Sequence, residues 1–175
     1  MALEESQSLL LEMIVGRSLA FVRYLQPLLL RHFQVSGPEW EVDNLHRVLT
    51  RVRRGLIRVD ADELTYPLHI MQRYDLEKKL LAGTLAVRDL PEAWDSAMEQ
   101  RCGARPASFS EGCLQDVHWA LGSFGYFPSY ALGAVIAAQL WESLRTSLPD
   151  VEEQIARGEF GGLFGWLREQ VHALG

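Results

Sequence analysis

Between its prolines the chain repeats apolar side chains at three- and four-residue spacing, the period of helices that bury one face, and this predicts a mainly α-helical protein. A first helix is expected over residues 5–26, with Leu9, Met13, Leu19 or Ala20, and Leu25 inward, until Pro27 kinks or restarts it. Ser36-Gly37-Pro38 signals a turn. Val42, Leu45, Val48, Leu49 and Val52 then form the stripe of a second helix that ends before Gly55. Leu56 to Val59 is a short β-prone run, able to add one edge to a small ribbon.

Asp60 and Asp62 can cap a long helix through Leu64, Leu68, Met71, Leu76 and Leu80, with Pro67 tolerated in its first turns and Gly83 closing it. A shorter helix follows from Asp89 and Pro91 to about Gln100, then a loop from Gly103 to Phe109. Residues 111–121 are expected to be helical, which sets Gln115 and Trp119 on one face and frees Asp116 to reach the loop from Gly122 to Tyr126. Helices over Ser129–Leu148 and Phe160–Leu174, with a turn or two after Pro149, complete an all-α chain, read as a single helical domain over residues 1–175.

With 48% hydrophobic residues and 10% aromatic ones the chain has material for a packed core, which separates it from disordered segments. Its net charge of −6 argues against a nucleic-acid partner. No apolar stretch approaches the roughly 18 residues that span a bilayer, and Glu4 and Glu5 stand where a signal peptide carries positive charge, so no membrane association is expected. Cys102 and Cys113 are too few for a disulfide scaffold and read as buried, unreactive thiols. The expectation is a cytoplasmic protein.

The five histidines, at positions 32, 46, 69, 118 and 172, never fall three or four apart, so no helix face offers a local imidazole pair to a metal. Nucleophile-elbow and phosphate-loop patterns do not occur either. What stands out is Gly112 to Trp119, denser in polar chemistry than a core helix needs. On a helix its Asp116 and His118 would point about 200° apart. Arg47, Arg51, Arg53 and Arg54 read as a solvated face. Arg58, flanked by Ile57 and close to Asp60 and Asp62, reads instead as an arginine fixed by carboxylates that can present its fork to the terminal carboxylate of a peptide. Tyr66, His69, Tyr126 and Tyr130 are ordinary amphipathic residues that together can also donate to a developing oxyanion.

These residues resemble the thermostable-type (Taq) zinc metallocarboxypeptidases. Glu5-Ser6-Gln7-Ser8 is similar to the end of that family's H-E-S-Q-S motif, with Glu4 in place of the histidine. Ile57 to Asp62 matches I-R-x-x-A-D, and Gly112 to Trp119 matches G-x-x-Q-D-x-H-W; Thr65 to His69 and Gly122 to Pro128 are familiar too. The resemblance covers nearly the whole chain and implies the C-terminal part of a cleft-containing helical enzyme that removes residues from peptide C-termini with zinc, commonly as a homodimer. It places the third zinc ligand on Glu5, the substrate carboxylate on Arg58 with Gln115 beside it, and His118, Tyr126 and Tyr130 as cleft-lining catalytic candidates.

The family's H-E-x-x-H helix, which supplies two zinc ligands and the general base, is expected upstream of Glu5 and does not occur in these 175 residues. Catalytic zinc takes three protein ligands, so no zinc is expected on this chain alone, nor independent activity. Three readings follow: a truncated or split metallocarboxypeptidase completed by an N-terminal fragment, a non-catalytic peptide-binding or self-associating module, or an unrelated role for His118 or Cys113. The first two predict homo-oligomers or a complementary fragment as partner.

Overall fold

In a computed structural model describing residues 1–174, the chain forms eight α-helices: α1 Ala2–Leu9, α2 Leu19–Phe33, α3 Val42–Leu49, α4 Tyr66–Leu81, α5 Leu90–Cys102, α6 Pro128–Ser147, α7 Val151–Ala156 and α8 Gly161–Gln170. No strand occurs among the described residues, so the all-α expectation holds. The contacts group into two compact units, one of residues 1–5 and 52–133, the other of residues 6–51 and 134–175.

The second unit is built around Leu9, Leu10, Val15 and Ala20, which pack with Ala137, Trp141 and Leu144 of α6, Val151 and Ile155 of α7, and Leu163 and Leu167 of α8. The expected helix over 5–26 is interrupted here. Leu10–Val15 is a π-helical stretch whose last bond runs from Gly16 N to Leu11 O at 2.8 Å. A Cβ at Gly16 would stand 2.9 Å from that same carbonyl, so the widened turn requires a residue without a side chain. Ser18 then restarts the chain: its hydroxyl accepts from Phe21 N at 3.1 Å and caps α2. Pro27 lies inside α2 and does not end it.

In the first unit, Trp94, Met98 and Cys102 of α5 close over Leu76 of α4, with Leu56, Leu68 and Trp119 packed around them. Pro67 sits in the first turn of α4 and Gly83 follows its end, both as expected. Asp62 rather than Asp60 organises its start, with Oδ1 accepting from Leu64 N and Thr65 N and Oδ2 from Arg53 N. The inward face of α4 differs from the apolar stripe. Leu64 is 66% and Met71 51% exposed, while His69, Gln72 and Arg73 are fully buried and Glu77 nearly so.

Three further expectations are corrected. The β-prone run bends into a 3₁₀ turn over Arg58–Asp60, because Arg58 N–H donates to the side chain of Gln115 and not to a neighbouring strand. Residues 111–121 form consecutive turns, not a helix. A helix would drive Asp116 and His118 to opposite sides, whereas here the two side chains lie 3.9 Å apart. The second helix stops at Leu49 and does not bury its stripe, with Val48 63% and Val52 50% exposed, and the last helix stops at Gln170.

Candidate functional site

The first unit brings Glu5, Arg58, Tyr66, Arg73, Asp116, His118, Tyr126 and Tyr130 into one linked cluster. Its centre is a carboxylate shared by two arginines. Arg58 donates to Asp116 Oδ1 from Nε at 3.0 Å and Nη2 at 2.8 Å, and Arg73 Nε donates to Oδ2 at 2.6 Å. Arg58 Nη1 donates to the Tyr66 hydroxyl at 3.3 Å, and its guanidinium lies 4.8 Å from the centre of the Tyr130 ring. Asp116 therefore does not reach the loop after Gly122, as the helical reading required.

Gln115 fixes the other end of Arg58. Its Oε1 accepts from Arg58 N at 2.9 Å, and its Nε2 donates to Leu56 O at 3.1 Å and Glu111 O at 2.8 Å. Both amide hydrogens are engaged inside the fold, so Gln115 acts on the Arg58 backbone. Trp119, expected on the same helical face, instead donates from Nε1 to Glu77 Oε2 at 2.7 Å. The other oxygen of Glu77 accepts from Gly125 N at 2.7 Å, where the backbone turns through φ +75°.

That loop delivers the aromatic side. His118 Nε2 and the Tyr130 hydroxyl share a hydrogen bond at 2.9 Å, and the His118 ring lies against Phe127 with centroids 4.4 Å apart. Tyr126 donates its hydroxyl to Glu5. Tyr126 and Tyr130 meet at 5.2 Å between centroids. His69 is fully buried, with no hydrogen-bond partner for either ring nitrogen among the described residues.

Electrostatics fix the charge states. Burial works against an ionised Asp116, but Arg73 and Arg58 outweigh it and hold the carboxyl below its ordinary value. Arg73 is pushed down to about 10, first by burial and then by Arg58 against the pull of Asp116, and is still charged at neutral pH. Burial opposes the Arg58 cation as well, yet its bond to Asp116 leaves it above the ordinary value. The trio carries one net positive charge. Burial, with help from the two arginines, lowers His118 and keeps it neutral near pH 7. Tyr126 is driven up to about 12, chiefly by its bond to Glu5, and burial raises Tyr130.

A guanidinium has five N–H bonds, and three of those of Arg58 are engaged. One hydrogen on each Nη is left to donate. Such a paired edge matches a carboxylate, and neutral His118 and the protonated phenols add uncharged hydrogen-bonding groups beside it. A metal fits less well. Among the described residues no three His, Cys, Asp or Glu side chains converge to hold an ion. Glu5 offers one carboxylate where a catalytic zinc takes three protein ligands, so this chain's own donors do not make up a zinc site.

Arg73, Asp116 and Glu77 are site-building residues that the sequence reading did not assign to the site. The signal for Asp116 was its place beside Gln115 and His118; nothing local marked Arg73 or Glu77.

The chain is similar throughout to known carboxypeptidases. It is 39% identical over all 175 residues to thermostable carboxypeptidase 1 of Pyrococcus furiosus and 42% identical to carboxypeptidase 1 of Bacillus subtilis, covering 35% of each. It thus spans about a third of the length of the curated relatives it matches. Among solved structures, metallocarboxypeptidase 1 of Trypanosoma cruzi superposes with a TM-score of 0.87 at 43% identity, over 96% of this chain and 35% of that one. The M32 carboxypeptidase of Deinococcus radiodurans R1 gives 0.85 at 44%, over 96% and 34%. A family model covers every residue from 1 to 175, and the chain belongs to the carboxypeptidase Taq (M32) metallopeptidase family.

Proposed function

We propose that this chain forms the peptide-carboxylate-recognising part of a zinc metallocarboxypeptidase and is inactive by itself. The observation that carries this reading is the buried guanidinium of Arg58, held by Asp116, stacked on Tyr130 and left with one N–H bond on each Nη to donate. A peptide's terminal carboxylate would dock there, and His118, Tyr126 and Tyr130 would face the adjoining peptide group. Glu5 would complete a zinc site whose other ligands come from outside these 175 residues. When bound, the metal would activate water and polarise the scissile carbonyl.

The test is release of C-terminal amino acids from mixed peptides by the purified chain, with and without zinc or cobalt, with bound metal counted in the same sample. No release and less than stoichiometric metal are expected. Metal-dependent release would overturn the inactivity. In parallel, a peptide with a free C-terminus should bind more tightly than its C-terminal amide, and Arg58→Ala should erase the difference.

A second reading, a non-catalytic peptide-binding or self-associating module, is favoured by the lack of three converging metal ligands among the described residues. Leu114, Val117 and Leu121 are 69%, 64% and 74% exposed along one irregular segment. Apolar exposure of this kind favours association of copies or docking of a complementary fragment. Sedimentation should show concentration-dependent association that serine at these three positions abolishes; a monomer at all concentrations would count against self-association.

A further inference from the structure

We propose that Arg73, acting through Asp116, is a positioning residue that leaves the site around Arg58 with a net positive charge for an anionic ligand. This rests on the reading of Arg58 as the carboxylate receptor. Arg73 itself is fully buried and touches no ligand.

The argument starts from how carboxylates and guanidinium groups pair. Left alone, one carboxylate and one arginine settle into a fork with each oxygen taking one N–H, and the pair is neutral. At Asp116 that fork is not formed. Arg73 Nε takes Oδ2, and Arg58 directs both Nε and Nη2 to Oδ1. One negative charge is divided between two cations, and the surplus positive charge is shared by Arg58, 7% exposed, and the fully buried Arg73.

Arg73 is held for this task. Its Nη1 donates to His69 O at 2.9 Å, and its guanidinium lies 4.6 Å from the centre of the Trp94 ring and 5.7 Å from that of Phe127. Its Nη2 has no partner among the described residues.

The experiment uses the full chain, a fluorescent peptide with a free C-terminus and its C-terminal amide, and the variants Arg58→Met, Arg73→Met and Arg73→Lys. Wild type should prefer the free acid, and Arg58→Met should not. Arg73→Met should lose at least tenfold of that preference, read on protein shown to be folded by its circular dichroism. Arg73→Lys, which keeps the charge, should restore most of the preference. An undiminished preference in Arg73→Met, an Arg73→Lys no better than Arg73→Met, or an Arg73→Met that does not fold would each overturn the proposal.

If wild type and Arg58→Met bind both peptides alike, the functional reading falls, and Arg73 is judged with acetate alone. Acetate should then shift the Arg58 Nε–H resonance in wild type and less in Arg73→Met. An equal shift, or none in wild type, overturns the proposal.

Discussion

The carboxylate of Glu77 takes the backbone N–H of Gly125 on one oxygen and the indole N–H of Trp119 on the other, both at 2.7 Å. One helical side chain thus anchors an irregular segment at two points, and the loop that carries Tyr126 has this carboxylate in place of a ladder of its own. In Glu77→Gln one acceptor oxygen becomes an NH₂ group facing a donor. A buried donor left unpaired costs about 1–3 kcal/mol, so urea unfolding should show a loss on the order of 2 kcal/mol. Amide exchange at residues 122–127 should accelerate more than in α5. Unchanged exchange there would show that the loop is held by other contacts.

Much of the fold was legible because capping and breaking residues act locally. Pro67, Gly83 and Pro91 mark helix ends through their own backbone restrictions, and no distant partner is needed to read them. What holds Arg58 was not legible: the neighbouring Asp60 and Asp62 are expected to fix it, but its carboxylate is Asp116, 58 residues away, and Asp62 accepts from backbone N–H groups instead. The part that misled is the inward face of α4 and the segment 111–121. Apolar periodicity assumes that the buried face is the apolar one, whereas α4 buries His69, Arg73 and Glu77, and the partners of Arg73 at Asp116 and of Glu77 at Trp119 and Gly125 lie some 40 or more residues away. The same long-range bonds keep 111–121 from coiling, since Asp116 and Trp119 are each tied to α4.

Gln115 ties two remote backbone groups together, accepting from Arg58 N and donating to Leu56 O and Glu111 O. Gln115→Glu keeps the size and replaces both donated hydrogens with an oxygen set against two carbonyls. We expect a loss on the order of 2 kcal/mol and weaker discrimination between free-acid and amide peptides, because the Arg58 backbone loses its reference point. Denaturation and binding measured on the same preparation would check this. A variant that is destabilised yet discriminates normally would separate Gln115 from the placement of Arg58.

Ser18 provides a control in the other unit. Its hydroxyl accepts from Phe21 N at 3.1 Å and donates to Val15 O at 2.7 Å, closing the gap between the π-helical stretch and α2. Ser18→Ala should cost about 1 kcal/mol, the usual value of an N-cap, and Ser18→Asp should restore most of it. Neither change should alter peptide discrimination. A change in discrimination with Ser18→Ala would mean that the site depends on residues outside the first unit.

His69 makes stability depend on pH in a window that can be assigned to it. Burial, and then the nearby charges of Arg73 and Arg58, push its pKa from 6.5 down to about 4. The unfolded chain therefore binds this proton more readily than the folded one. The contribution of neutral His69 is complete above pH 6.5, declines as the pH falls, and levels off near pH 4, where both states are protonated. The full loss is on the order of 3 kcal/mol. His118, also held below its ordinary value, steepens the wild-type curve over the upper part of this window. The diagnostic quantity is accordingly the difference in slope between wild type and His69→Leu, read from urea midpoints between pH 7 and pH 4.5. Asp116, whose carboxyl is held down, loses its share only as the pH falls below about 3.8, outside this range. Parallel curves for the two proteins would mean that His69 takes up its proton in the folded state as easily as in the unfolded one.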